Sequence, residues 1–151
     1  MSKLGEIRVL VLGLIRHGDG GANAKGERIF VSEGYDPVEQ STFYRALGGG
    51  VDFGEPSILA LQREFQEEIQ ADLTNICYLG CIENIFTFNG RQGHEIILLY
   101  QCDFADPSFY ELDSLIFSES ETHKHRALWI DINRFKSGEL RLVPEEFFNY
   151  L

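Results

Sequence analysis

The sequence predicts an α/β layered sandwich built as one domain over residues 1–151. Segments rich in apolar and β-branched residues lie on both sides of one amphipathic helix, and a further short helix is expected late in the chain. No repeat, low-complexity tract or interdomain linker interrupts this order. With 44% hydrophobic residues, the chain has the composition of an ordinary globular domain.

Three strands are predicted before the central helix. Ile7–Ile15 is an apolar, β-branched run typical of a buried strand. Arg28–Ser32 follows a turn-prone stretch at Asn23–Gly26 and predicts the second strand. Asp36–Thr42 is expected to be a polar loop, and Phe43–Leu47 predicts a short strand. The helix therefore begins shortly after a strand that runs into glycines.

The central helix is predicted over Pro56–Gln70. Proline is tolerated at a first helical position, because the N–H group there has no partner within the helix. At about 100° per residue, four apolar side chains form the stripe that is expected to face the core: Ile58, Leu61, Phe65 and Ile69. The small residues Ala60 and Ala71 share the neighbouring arc with the acids, which predicts open space around those carboxylates.

The chain after the helix predicts a hairpin and then less regular structure. Cys77–Phe88 and Glu95–Phe104 are strand-like and are joined across Asn89-Gly90, a strong signal for a type I′ turn. The remaining elements are an acidic, mostly irregular segment at Asp106–Lys124, a strand at Arg126–Ile132 and a short helix at Pro144–Tyr150.

A glycine-rich turn that enters an acidic helix is the most informative feature of the chain. Its polar residues stand at fixed spacings: Gly49, Glu55, Arg63, Glu64, Glu67 and Glu68. Glu64 and Glu68 form a like-charge i,i+4 pair, which costs about 0.2–0.5 kcal/mol in a bare helix. A bound divalent cation would turn this repulsion into attraction, and hard cations such as Mg²⁺ prefer oxygen ligands.

This pattern resembles the Nudix box, G-x5-E-x7-R-E-U-x-E-E-x-G-U, in which U is a bulky aliphatic residue and Phe65 takes the first such position. Gln70 stands where the family has a late glycine, and Ala71 replaces the final bulky residue. Leu47 stands where many members have proline. The late glycine serves helix termination rather than chemistry. The resemblance extends loosely over the whole chain, to a late Trp-Ile-Asp-Ile segment.

The resemblance implies a Nudix-type α-β-α sandwich with a mixed central sheet, and a Mg²⁺-dependent pyrophosphohydrolase that could also use Mn²⁺. The metal ligands that it implies are the carboxylates of Glu64, Glu67 and Glu68, with a backbone carbonyl of Gly48 or Gly49. Arg63 would orient these acids. Glu55 would have a structural role, either pairing with Arg63 or capping the helix.

The resemblance leaves the general base open, because family members use either the glutamate next to the box arginine or a glutamate on a later loop. Glu64 is the first candidate here. Glu121, in the acidic segment before Trp129, is the second, and Glu119 is the third.

The implied substrate is a nucleoside diphosphate linked to another moiety: a nucleoside triphosphate, a nucleotide sugar or an ADP-ribose-like compound. Arg28 and Arg45 could reach its phosphates from the entering strands, although both are equally compatible with solvent-facing positions. Phe88 could stack on a base, although a phenylalanine in a strand is more often a core residue.

The alternative function is a catalytically silent Nudix-fold module that binds a nucleotide without cleaving it. The intact box acids and Arg63 favour the enzyme. An isomerase acting on a diphosphate-bearing isoprenoid would need an additional acid–base pair, and the sequence shows none.

Charge and cysteine content limit the partners. A net charge of −11 argues against a nucleic-acid polymer, whose backbone needs clustered Lys and Arg. No apolar run has membrane-spanning length and no signal peptide is apparent, so a cytoplasmic protein is expected. Cys77, Cys81 and Cys102 form no CxxC pair and are expected to be buried, reduced thiols. A homodimer is an option, because Nudix proteins often dimerise.

Overall fold

The structure, a computed structural model, describes residues 5–18, 26–118 and 124–151. Its strands are β1 (Ile7–Leu14), β2 (Arg16–His17), β3 (Arg28–Asp36), β4 (Ser41–Gly50), β5 (Leu73–Phe88), β6 (Arg91–Phe104), β7 (Ser114–Ser118) and β8 (Lys124–Asp131). Its helices are α1 (Ser57–Ile69) and α2 (Ile132–Lys136), with 3₁₀ turns at Pro107–Glu111 and Glu145–Tyr150. Within these residues, no helix has the length and apolar character needed to cross a membrane.

The strands form one mixed sheet in the order β5-β6-β1-β4-β3-β8-β7, with β2 beside β3. The β1–β6 pair is parallel, whereas β4 runs antiparallel to β1. The central strand β1 is buried on both faces, since neither Leu10 nor Val11 is exposed to solvent. This agrees with the continuous apolar run predicted for it.

Helical segments cover both faces of the sheet, which confirms the predicted α-β-α sandwich. On one face, Leu61 and Phe65 of α1 pack in a cluster that includes Trp129. On the other face, Phe135 of α2 and Phe147 of the last 3₁₀ turn pack in a second cluster. The sheet therefore separates two cores, and α1 with its acids belongs to only one of them.

The two long hairpins differ in how well the sequence predicted them. Asn89 and Gly90 have φ values of 52° and 74°, which confirms a turn with positive φ at both central positions. The predicted loop at Asp36–Thr42 was too long. The Asp36 carboxylate accepts hydrogen bonds from the backbone N–H groups of Val38 and Glu39, at 3.0 and 3.3 Å, and this closes a tight turn.

The last third of the chain is more regular than predicted. The segment expected to be irregular contains β7, which pairs with β8 and so extends the sheet. The helix α2, which was not predicted, starts where the Asp131 side chain accepts a hydrogen bond from the Asn133 N–H at 2.8 Å. The final predicted helix is a 3₁₀ turn.

Three of the four residues predicted for the buried face of α1 are buried: Leu61, Phe65 and Ile69. The fourth, Ile58, is 39% exposed, and Ala60 is fully buried in its place. The small side chain of Ala60 lets α1 lie close to the sheet, so the arc that carries Ala60 is covered rather than open. Ala71, which was also expected beside open space, is buried just after the helix.

Cysteine burial was predicted correctly at one position only. Cys102 is buried, and this raises the pKa of its thiol to about 12. Cys77 and Cys81 are exposed on the edge strand β5, so the prediction of buried thiols was wrong for these two. All three cysteines are free.

Helix α1 ends at Gln70, the position at which the Nudix box has a glycine. Gln70 adopts left-handed backbone geometry, with φ 52° and ψ 41°. Its N–H group donates to the Gln66 carbonyl, and the Ala71 N–H donates to the Phe65 carbonyl. This is the hydrogen-bond arrangement in which helices usually place glycine. Gln70 therefore performs the termination expected of glycine, with a side chain in an unfavourable conformation.

Replacing this glutamine by glycine should stabilise the protein. Gln70→Gly removes the steric cost of left-handed geometry and adds backbone entropy to the unfolded chain, for a net gain of about 0.5–1 kcal/mol. Gln66→Gly is the matched control, because Gln66 is exposed in the helix interior, where glycine should cost about 1 kcal/mol. Denaturant unfolding measures both changes, and two variants that shift in the same direction would contradict this account.

Candidate functional site

Arg63 joins α1 to the turn that follows β4. Its Nε donates to one carboxylate oxygen of Glu55 at 2.8 Å, and its Nη2 donates to the other at 2.9 Å. Nη2 also donates to the Gly50 carbonyl at 2.9 Å. A two-point contact between guanidinium and carboxylate fixes orientation as well as distance. The turn and the helix are therefore held in one geometry.

The same guanidinium holds two of the predicted metal ligands. Its Nη1 donates to Glu64 at 3.0 Å and to Glu67 at 3.2 Å, so both carboxylates share one donor nitrogen. The Glu67 side chain is 60% exposed and that of Glu64 only 15%. Arg63 thus contacts an inner acid and an outer acid through one nitrogen.

Glu64 is withdrawn from water by its position on the helix. At about 100° per residue it falls between Ala60 and Leu61, both fully buried. Its carboxyl carbon lies 2.3 Å from the position that a Cβ atom on Gly49 would occupy. Burial raises the pKa of Glu64, and the pairing with Arg63 only partly opposes this. The absence of a side chain at position 49 is what makes room for this carboxylate.

Glu55 has the opposite electrostatics. Its carboxylate accepts hydrogen bonds from Arg63 and, at 3.1 Å, from the backbone N–H of Asp52, and these lower its pKa. It closes the turn between β4 and α1, in line with the structural role predicted for it.

The oxygen donors suit a hard divalent cation. Glu64 lies over Gly49, next to Gly48 in β4, and Glu68 is half-buried one turn further along α1. Carboxylate and carbonyl oxygens are the ligands that Mg²⁺ prefers. Among the described residues, no three acidic, histidine or cysteine side chains already stand in metal-binding geometry. Since Arg63 holds Glu64 and Glu67, a cation would have to compete with its guanidinium for their oxygens.

The predicted substrate contacts lie on other elements. Arg45 of β4 donates to Glu95 of β6 at 3.0 Å, and Glu95 is only 6% exposed. Asn84 approaches the same Glu95 oxygen at 3.4 Å. Phe88 is 39% exposed and its ring meets that of Phe43 edge-on, with centroids 5.8 Å apart. These contacts connect the β3–β4 and β5–β6 hairpins.

The structure does not join one predicted contact, Arg28, to this site. Arg28 begins β3 opposite Asp131, and within the described ranges no contact joins it to the acids of α1. Glu121 and Glu119 lie outside the described residues.

The structure adds one cation that the sequence did not indicate. Arg8 of β1 is half-buried, and its Nη2 atom lies 3.2 Å from the position of a Cβ atom on Gly50. Its charge acts on Glu64, whose pKa it lowers slightly. The only sequence signal is a charged residue inside an otherwise apolar strand, which also fits an exposed strand end.

Comparisons with known proteins agree with this geometry. The NUDIX domain family model matches residues 22–151. A NUDIX hydrolase from Nitrosomonas europaea has a similar structure, with 16% identity and a TM-score of 0.63 over 95% of this chain and 85% of that one. A MutT NUDIX hydrolase from Burkholderia pseudomallei has 23% identity and a TM-score of 0.58, covering 85% of each chain.

The E. coli ORF135 protein is also similar, with 21% identity and a TM-score of 0.53 over 96% of this chain and 88% of that one. These identities establish a shared fold. No curated protein matches the sequence significantly.

A side chain at position 49 should disturb the inner acid. Gly49→Ala would place a methyl group 2.3 Å from the Glu64 carboxyl carbon and should cost about 1–3 kcal/mol of unfolding free energy. Gly50→Ala is the matched control, because the nearest atom there is the flexible end of Arg8, at 3.2 Å. Denaturant unfolding compares the two variants. An equal cost would mean that Glu64 does not occupy the space above Gly49.

The two glutamates should respond oppositely to pH in metal-free buffer. The lowered pKa of Glu55 means that its stabilising contribution is present above its usual pKa and lost as pH falls through the lowered one. The raised pKa of Glu64 means that its contribution is complete below its usual pKa and lost as pH rises through the raised one.

At neutral pH, therefore, Glu55→Gln should destabilise the protein and Glu64→Gln should stabilise it. Both differences should shrink as acid neutralises the carboxyl group that each variant replaces. Thermal unfolding of the three proteins from neutral to acidic pH, with a chelator present, measures this. If both variants are stabilised, or both are destabilised, at neutral pH, the opposite pKa shifts assigned to Glu55 and Glu64 are wrong.

Proposed function

The chain belongs to the NUDIX family and is an enzyme of the pyrophosphohydrolase class, and from this premise we propose that it hydrolyses a nucleoside diphosphate linked to another moiety in a Mg²⁺-dependent reaction. The observation that carries the proposal is the pair of carboxylates, Glu64 and Glu67, that one arginine holds beside bare glycine backbone. Mn²⁺ is the alternative metal.

We propose that Glu64, Glu67 and Glu68 hold the metal, with a carbonyl oxygen of Gly48 or Gly49. A cation bound there neutralises phosphate charge and lowers the pKa of a coordinated water. The protein positions these oxygens through Arg63, which restrains Glu64 and Glu67 together with the Gly50 carbonyl. Restraint of this kind reduces the reorganisation needed when the substrate arrives.

Glu64 is the first candidate for the general base. A base works best when its pKa lies near the working pH, and burial moves the pKa of Glu64 in that direction. Glu121 remains the second candidate. In this proposal Arg45 and Phe88 contact the substrate beyond the cleaved bond, from the two connected hairpins. Arg28 is proposed as a weaker contact, because no described contact brings it to the acids.

A cytoplasmic location is also proposed. Two exposed free cysteines, Cys77 and Cys81, suit a compartment that keeps thiols reduced. A homodimer is proposed as one assembly state, and light scattering after size-exclusion chromatography would test it.

The test of function is a substrate panel of nucleoside triphosphates, nucleotide sugars, ADP-ribose and dinucleoside polyphosphates, with phosphate release measured at several Mg²⁺ and Mn²⁺ concentrations. Turnover of at least one compound, abolished by chelation, supports the proposal. Binding without turnover at any metal concentration would reject it.

Glu67→Gln and Glu68→Gln should each lower kcat by about 100-fold or more, because each removes a charged oxygen ligand from the metal. Both variants should also bind Mn²⁺ more weakly, as measured by electron paramagnetic resonance. Glu145→Gln removes the same charge from an exposed residue of the last 3₁₀ turn and should behave as the unmodified protein. Unchanged Mn²⁺ binding in both helix variants would show that these acids are not ligands.

A further inference from the structure

Arg8 is a half-buried arginine of β1. It lies beside the end of β4, where that strand enters the site. Its Nη2 and Nε atoms lie 3.2 and 3.6 Å from the position of a Cβ atom on Gly50, and its Cζ lies 3.8 Å from it, so one edge of the guanidinium faces that glycine. The Gly50 carbonyl is the group that accepts a hydrogen bond from Arg63. Arg8 and Arg63 therefore contact the same residue of β4.

The acids around Arg8 already have other partners. Glu64 pairs with Arg63 at 3.0 Å, and Glu95, which lies opposite Arg8 in the β1–β6 ladder, pairs with Arg45 at 3.0 Å. Arg8 itself makes no hydrogen bond or ion pair with any residue in the described part of the chain. Arg63 and Arg45 are therefore each paired with a glutamate, and Arg8 is not.

In this acidic chain, Arg63, Arg126 and Arg134 each pair with a glutamate. Four arginines have no ion pair with any described residue: Arg8, Arg28, Arg91 and Arg141. Of these four, Arg8 is the one that lies against Gly50 at the end of β4. No Arg8 nitrogen is among the buried, unpartnered side-chain atoms of the described residues, so its guanidinium is open to solvent and to a ligand. Such a group is suited to an anionic ligand, and its planar set of N–H donors matches phosphate oxygens.

The position of Arg8 fits a second phosphate rather than the metal. Successive residues of a strand face opposite sides of the sheet, so the side of Gly50 that meets Arg8 is opposite the side of Gly49 that Glu64 covers. The metal-binding acids and Arg8 therefore flank the end of β4. A diphosphate lying across this strand end would meet the acids through a metal at one phosphate and Arg8 at the other.

We propose that Arg8 binds the non-bridging oxygens of the substrate phosphate that is farther from α1. This rests on the proposed function and adds a residue outside the acidic helix that recognises the diphosphate. Arg45 is restrained by Glu95, whereas Arg8 has no ion-pair partner among the described residues.

Binding of methylenediphosphonate, whose P–C–P bridge cannot be hydrolysed, tests this directly. Isothermal titration calorimetry in excess Mg²⁺ compares the unmodified protein with Arg8→Gln and Arg8→Lys. Loss of a charged hydrogen-bond donor should weaken the Kd for Arg8→Gln by about tenfold or more. Arg8→Lys keeps the charge without the planar donors and should fall between the two.

Lys136→Gln is the matched control, because it removes one positive charge from an exposed residue of α2 that is not part of the site. Its Kd should stay within about twofold of the unmodified protein, since exposed charges at a distance are screened by salt. Thermal unfolding checks that Arg8→Gln folds. If it does not fold, the Kd of Arg8→Lys is compared with that of the unmodified protein instead.

Equal Kd values for Arg8→Gln and Lys136→Gln would overturn the proposal, as would an unmodified protein that does not bind the probe. The assay needs no turnover, so a failed substrate panel rejects the proposed function without deciding the role of Arg8. Conversely, if the protein is a metal-dependent hydrolase and its Kd is unchanged in Arg8→Gln, the proposed function stands and the role of Arg8 is rejected.

Discussion

The Arg63 guanidinium joins the turn after β4 to the helix that follows it, and the geometry of the site depends on this contact. Glu55 and the Gly50 carbonyl take its donors on the turn side, while Glu64 and Glu67 take them on the helix side. Because every acceptor is anionic or a backbone carbonyl, the donors of this one cation set the spacing of the acids. The Arg63 pKa is raised accordingly, so its charge is permanent.

This arrangement leaves one acid, Glu64, largely removed from water. Glu64 lies between fully buried helix residues and over Gly49, where hydration is poor. Its hydrogen-bond partner in Arg63 is a single nitrogen that it shares with Glu67. Its raised pKa indicates a carboxylate whose charge is only partly compensated. A divalent cation bound there, as proposed, would complete that compensation.

Local patterns predicted the parts of the fold that local physics decides. The apolar run of β1, the Asn89-Gly90 turn, the bounds of α1 and the spacing of Arg63 from Glu55 all follow from short-range rules. Long-range packing decided the rest. The strand β7 depends on β8, and the burial of Ala60 depends on how closely α1 approaches the sheet. Neither partner can be identified from the residues themselves.

The different positions of the arginines explain why the motif located the acids of α1 and missed Arg8. A sequence motif records residues whose partners lie within a few turns of chain, as those of Arg63 do. Arg8 reaches the site only because β1 pairs with β4, about 40 residues away along the chain, and because Arg45 already neutralises Glu95. On the proposal that Arg8 binds a substrate phosphate, recognition beyond the acids of α1 would depend on the pairing of β1 with β4.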